Sequence, residues 1–209
     1  MADFNAIRDA LKSGKAKIVK ELVQAAIDEG VSPADILNNS LVVGMGEIGE
    51  MFKNNEVYVP EVLIAARAMK AGMDIIKPLL IKDNVQMRGT VAIGTVKGDL
   101  HDIGKNLVGM MLEGAGFTVM DLGIDVGPDK YVQAIKDGAQ VIGMSALLTT
   151  TMPSMKEIID AIVAEGLREK VKVMIGGAPV TQSYADEIGA DGYSADAASA
   201  ADLAKKLVG

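Results

Sequence analysis

Cysteine and tryptophan are absent from the 209 residues, histidine occurs once, as His101, and aromatic side chains make up only 3%. Without cysteine there can be no disulfide, no thiol nucleophile and no Cys-based zinc or iron–sulfur site. A single histidine likewise excludes a multi-histidine metal site. Basic charge is also in short supply. Lys and Arg number 21 against 28 Asp and Glu, giving a net charge of −7 and a pI near 4.8. That is the wrong sign for a surface whose main partner is nucleic acid. No apolar run approaches the roughly 18 residues that cross a bilayer, and no basic-then-apolar leader follows Met1. A cytoplasmic location with no membrane partner is therefore expected. Apolar residues, by contrast, are plentiful, at 49% with a positive mean hydropathy. This excludes disorder and allows one large domain or two small ones.

The two halves are written differently. Residues 1–88 hold six of the 23 glycines and are close to neutral; residues 89–209 hold the other 17 and carry most of the negative charge. In the first half, a short helix is expected at Asp3–Lys12. Ile18, Val19, Leu22, Val23, Ala26 and Ile27 then recur at helical spacing up to Gly30. Ser32-Pro33-Ala34-Asp35 reads as an N-cap followed by proline at the first helical position, opening a helix toward Phe52. A fourth helix starts at Pro60 and runs to about Lys77, so the expected architecture is a four-helix bundle over 1–88. From Gly89 onward, β-branched runs at Thr90–Val96, Thr118–Leu122, Val141–Ser145 and Val171–Ile175, with a weak one near Asp191–Tyr193, alternate with helical segments. That alternation implies a flavodoxin-like (Rossmann-like) α/β domain over 89–209. Its five parallel strands are expected in the order 2-1-3-4-5, with the switch point between strands 1 and 3. The boundary falls near Gln86–Gly89.

Gly44-Met45-Gly46-Glu47-Ile48-Gly49 fits G-x-G-x-x-G, but that fingerprint binds a dinucleotide only where a strand turns into a helix N-terminus. Here it lies within a helical pattern, where close helix packing or the close approach of a bulky ligand explains it better. A more informative segment is Gly98-Asp99-Leu100-His101-Asp102-Ile103-Gly104-Lys105, in the loop leaving strand 1 beside the switch point. Alone, a single loop histidine is ordinary. Asp99, however, is close enough to accept a hydrogen bond from one ring nitrogen and leave the other free as a ligand. Gly98 and Gly104 remove bulk on either side. Ser145-Ala146-Leu147-Leu148-Thr149-Thr150-Thr151 leaves strand 3 and Gly176-Gly177 leaves strand 4, on the same edge of the sheet. Such residues are common turn chemistry, but their joint placement makes a slot at the edge where open α/β sheets bind ligands. No G-x-x-x-x-G-K-[ST] phosphate loop is present.

Asp99-x-His101-x-x-Gly104, then Ser145-x-Leu147 and Gly176-Gly177, resembles the D-x-H-x-x-G…S-x-L…G-G signature of cobalamin-binding proteins. Met45–Phe52 and Tyr58–Leu63 resemble the helical cap of cobalamin-dependent methionine synthase and of corrinoid methyl-carrier proteins, so essentially the whole chain is covered. The resemblance implies a free-standing corrinoid subunit that binds cobalamin or a related corrinoid with its lower base displaced. His101 would be the axial ligand to cobalt, Asp99 its hydrogen-bond partner, and Thr151 would stand where the methionine synthases carry a relay serine. It implies that Gly98, Asp102, Ile103 and Gly104 surround the ligand loop. Ser145, Leu147, Thr149, Gly176 and Gly177 would line the slot for the nucleotide tail, and Phe52 and Val59 would cover the reactive face.

The implied function is transport of a methyl group on cobalt. A substrate-specific corrinoid methyltransferase would load it, and a second methyltransferase would pass it to tetrahydrofolate, a pterin analogue or a thiol such as coenzyme M. A reductive activase is the further implied partner. The cap would have to move, which places an expected hinge near Gln86–Gly89. Thiol acceptors are commonly activated on zinc held by Cys and His. A chain with no cysteine leaves that step to a partner and is non-catalytic alone. Two other functions use a similar domain: the adenosylcobalamin-binding small subunit of a mutase, which normally lacks this cap, and a flavodoxin-like module for another ligand. A cobalamin light sensor would need a tryptophan and a second histidine that this chain does not have.

Overall fold

The computed structural model describes residues 3–83, 85 and 87–209. Of the expected boundary segment, Gln86 lies outside the described residues. The chain forms two compact units: one reaches to Met87 and includes Gly114–Gly116, and the other comprises Arg88–Glu113 and Phe117–Gly209. No helix among the described residues is long and apolar enough to cross a membrane.

The first unit is all helical, with α1 (Phe4–Lys12), α2 (Ala16–Asp28), α3 (Pro33–Ile36), α4 (Val42–Lys53) and α5 (Val59–Lys82). The Asp3 carboxylate opens α1 by accepting from the Asn5 and Ala6 amides, and Ser32 opens α3 by accepting from Asp35 N–H at 3.0 Å. The stretch expected as one helix toward Phe52 is continuous but widens into a π-turn at Leu37–Leu41. There the buried Ser40 hydroxyl donates back to the Ile36 carbonyl, a side-chain bond that competes with the regular ladder. Ile7, Leu11, Val19, Val23, Ile36, Leu41, Met45, Ile48, Val62 and Ile76 form the bundle core. The last helix does not stop at Lys77. It passes through Pro78 for one more turn, because the buried Leu80 packs that turn and offsets the bond that proline removes.

The second unit is a five-stranded parallel sheet in the order β2-β1-β3-β4-β5. The strands are β1 (Thr90–Val96), β2 (Thr118–Val126), β3 (Val141–Ser145), β4 (Lys172–Gly176) and β5 (Gly192–Ser194). Central strands β1 and β3 are buried almost throughout, as strands covered on both faces must be. Each strand is followed by a helix: α6 (Ile103–Gly114), α7 (Pro128–Lys136), α8 (Pro153–Ala164), α9 (Gln182–Ile188) and α10 (Ala197–Val208). Of these, α7 packs on β1 and β2, and α10 on β3, β4 and β5. Strands β4 and β5 each sit one residue later than expected, and two larger features differ. Strand β2 continues past Leu122 to Val126, and α9 is an additional short helix. Thr181 caps α9 through Tyr184 N–H, and the left-handed Gly189 ends it.

Candidate functional site

The fold brings the carboxyl ends of β1, β3 and β4 side by side. Thr95 pairs with Ser145, Ser145 with Gly176, and Gly176 with Ser194, so these four residues form one row across the sheet. The loops that follow carry the polar residues singled out in the sequence.

Asp99 is fully buried in the loop after β1, yet both of its oxygens are occupied. Oδ1 accepts from His101 N–H at 3.0 Å and lies 2.7 Å from His101 Nδ1. Oδ2 accepts from Leu147 N–H at 2.8 Å and from the Thr151 hydroxyl at 2.8 Å. Burial works against the charge on Asp99, but these hydrogen bonds outweigh it and hold the carboxyl well below the usual carboxylate range. An ionised carboxylate can only accept, so His101 Nδ1 is the donor in this contact, and in the neutral tautomer that donor leaves the lone pair on Nε2. The His101 side chain is 52% exposed, so its ring is held from one side and open on the other. The His101 carbonyl accepts from the buried Thr95 hydroxyl at 2.8 Å, fixing the main chain as well.

Around this pair, Leu100, Asp102, Ile103 and Gly104 are exposed, and a Cβ on Gly104 would meet nothing within 4 Å. Asp102 closes the first turn of α6, its carbonyl accepting from Asn106 N–H at 2.7 Å. Gly98 has φ +82° and donates its N–H to Asp125 Oδ1 at 2.7 Å. Leu147 and Thr149 are exposed. Gly177 has φ +133°, and a Cβ there would fall 1.8 Å from the Ala146 carbonyl oxygen. Only glycine can hold the β4 loop against the β3 loop in this way. The structure thus gathers Gly98, Asp99, His101, Asp102, Ile103, Gly104, Ser145, Leu147, Thr149, Thr151, Gly176 and Gly177 in the α/β unit. Phe52 lies in the last turn of α4 and Val59 begins α5, both in the helical unit.

Sequence reasoning missed Thr95, which reads as an ordinary β-branched strand residue, and Asp125, which acts from the adjoining edge strand β2. The G-x-G-x-x-G match lies inside α4 with no strand before it. Gly44 packs there against Arg8 of α1, and Gly46 faces open space. Among the described residues, no three His, Cys, Asp or Glu side chains are grouped to hold a metal ion.

A family model described as "B12 binding domain" matches residues 89–202, and a second of the same description matches residues 4–77. A corrinoid protein of Desulfitobacterium hafniense (strain Y51) is 41% identical, covering 100% of this chain and 99% of its own. Dimethylamine corrinoid protein 1 of Methanosarcina acetivorans is 44% identical, covering 90% of this chain and 91% of its own. Among solved structures, the methanol:cobalamin methyltransferase complex of Methanosarcina barkeri contains a chain that superposes with a TM-score of 0.85 at 32% identity. That match covers 98% of this chain and 79% of the other.

Proposed function

The chain belongs to the family of B12-binding corrinoid proteins, with cobalamin or a related corrinoid as its cofactor, and we propose that it carries a methyl group between two methyltransferases. One is substrate-specific and loads the group; the other delivers it to tetrahydrofolate, a pterin analogue or a thiol such as coenzyme M. The dimethylamine-named relative and the methanol complex support a small methylated compound as donor. The helical B12-binding domain over 4–77 favours this reading over a mutase subunit. A reductive activase completes the partners, and the cytoplasm is the proposed location.

The observation that carries the reading is the 2.7 Å contact between His101 Nδ1 and the buried Asp99 carboxylate. It leaves Nε2 of a half-exposed side chain free of that contact, so the residues present fit a corrinoid that needs one protein ligand. When bound, the corrinoid supplies a cobalt centre that takes up and releases the methyl group. His101 would bind that cobalt from below with the lower base displaced. Asp99 would keep the Nδ1 proton in place and set the basicity of the ring, with Thr151 supporting the carboxylate. Gly98, Asp102, Ile103 and Gly104 would leave room around the ligand loop, while Ser145, Leu147, Thr149, Gly176 and Gly177 would line the tail slot. Phe52 and Val59 of the helical domain are proposed to exclude water and oxidant from the bound group. With its one histidine so used and no cysteine, the chain would leave acceptor activation to a partner.

Loading the purified protein with hydroxocobalamin tests this. The expected result is a histidine-ligated spectrum that disappears in His101→Ala, together with methyl transfer once a strong reductant, a small methylated donor, an acceptor and both partner methyltransferases are added. A spectrum unchanged by His101→Ala would overturn the assignment.

A further inference from the structure

Asp99 holds the imidazole from inside the fold, but the segment carrying it, 97–104, must itself be held at both ends. Strand β2 does this from the edge of the sheet. At the start of the segment, Gly98 N–H donates to Asp125 Oδ1 at 2.7 Å, and Asp125 N–H donates to the Asp99 carbonyl at 3.1 Å. At its end, in the first turn of α6, Lys105 Nζ donates to both oxygens of Asp121, at 2.6 and 2.7 Å. Lys105 is only 4% exposed. A buried ammonium is tolerated only when paired and well bonded.

β2 is distorted where it makes these contacts. Ile93 pairs with Asp121, Gly94 with Gly123 and Val96 with Val126, so β2 gains one residue on β1 at each of two steps. Gly123 has φ +91° and Asp125 has φ +52°, a left-handed conformation rare for a side chain other than glycine. Extra residues of this kind re-aim side chains beside functional sites. Here, Asp121 and Asp125 grip the two ends of one segment, and His101 lies between them.

Resting on the reading of His101 as the axial ligand, we propose that Lys105, Asp121 and Asp125 are positioning residues. Together they form a frame that sets how His101 is presented to the corrinoid. The frame bonds to the main chain at Gly98 and Asp99 and to the Lys105 side chain, not to the imidazole, and acts through the backbone of 97–104. A pair that merely stapled α6 to β2 would contribute stability without affecting ligation.

The test separates these roles. Asp125→Gly keeps the left-handed backbone and removes the acceptor for Gly98, whereas Asp125→Asn keeps both. Asp121→Asn keeps a carbonyl acceptor for Lys105 but removes the charge partner of a buried ammonium. The unfolding midpoint is therefore measured beside ligation, and Asp125→Gly carries the test if Asp121→Asn or Lys105→Met fails to fold. Each variant, grown with 15N-labelled histidine, is loaded with hydroxocobalamin and reduced to Co(II) with a chemical reductant. A two-line 15N splitting in the EPR spectrum, distinct from the three-line 14N splitting of the corrinoid's own base, reports ligation by the single histidine. The expected result for Asp125→Gly and Asp121→Asn is retained corrinoid, with the ratio of histidine-ligated to histidine-free cobalt falling about tenfold. Asp125→Asn and the control Lys136→Met, which breaks an exposed pair with Glu165, are expected to keep the wild-type ratio. Without corrinoid, the first two variants should also show faster amide exchange across 97–104. An unchanged ratio in both, whatever happens to thermal stability, overturns the frame. If the wild-type protein binds corrinoid without the 15N splitting, the axial-ligand reading fails and takes the frame with it.

Discussion

Thr151 lies 52 residues from Asp99 in the chain and donates its hydroxyl to that buried carboxylate at 2.8 Å. The same hydroxyl is 2.9 Å from the Leu148 carbonyl, so one proton serves two acceptors. Thr151→Val keeps the shape and removes the proton, leaving Asp99 Oδ2 with only the Leu147 amide. The expected loss is about 1.5–3 kcal/mol, the range for a hydrogen bond to a charged group, measured by urea unfolding of the corrinoid-free protein. Thr151→Ser should recover most of it.

Two glycines of the site should respond to the same substitution in opposite ways. Gly177→Ala forces a methyl group toward the Ala146 carbonyl and strains a backbone at φ +133°. It should cost upwards of about 3 kcal/mol, seen as a large fall in Tm. Gly104→Ala meets nothing within 4 Å and lies in the first turn of α6. It should leave stability unchanged or raise it by up to about 1 kcal/mol, while weakening corrinoid binding measured by titration. Equal corrinoid affinity in Gly104→Ala would mean that the open space there is not used by the ligand.

Acid stability should report Asp99. Its carboxyl is held below the ordinary range in the folded state, so the unfolded chain takes up the proton more readily. The stability it contributes is complete above the usual carboxylate range and is lost as the pH falls through the folded value. Asp121 is shifted in the same direction, with burial opposed by the Lys105 hydrogen bond, but its exposure makes its share smaller. Urea midpoints measured from neutral to acidic pH should fall less steeply in Asp99→Asn than in the wild type. Parallel curves would show that another carboxylate governs the acid limb.

Tyr131 should behave differently from most buried tyrosines. Its ring is fully buried on α7, and no described group accepts from its hydroxyl. A Cβ on Gly94 would stand 2.6 Å from that oxygen. Burial, with the Asp121 charge adding to it, pushes the phenol far above its ordinary value. Tyr131→Phe removes an unpartnered polar atom and should change stability by less than about 1 kcal/mol in either direction. A loss well above that would reveal a partner for the hydroxyl.

Sequence patterning reached different parts of the molecule unequally. Strands β1 and β3 have the expected bounds because β-branched runs fill them and glycine or turn residues bracket them. The order of all five strands followed from strand–helix alternation. The full extent of β2 was hidden because its two extra residues break the period-2 pattern at Gly123, where a strand normally ends. Helix α9 was hidden because seven mostly polar residues give too few apolar positions to show a period. At the site, the Asp99–His101 contact was legible from a two-residue spacing. The Thr95, Asp121 and Asp125 contacts were not, because each forms only when the sheet aligns distant segments.

That alignment also governs when the protein becomes competent. Asp99 takes hydrogen bonds from partners 48 and 52 residues further along the chain, and β1 meets them only after β3 has crossed over to lie beside it. Contacts so distant in sequence close late in folding, since the loop entropy is lost before the contacts compensate it. A nascent or half-folded chain would therefore present a histidine whose neighbouring carboxylate is not yet held by Leu147 and Thr151. Readiness to accept a cofactor becomes a signal that the sheet is finished.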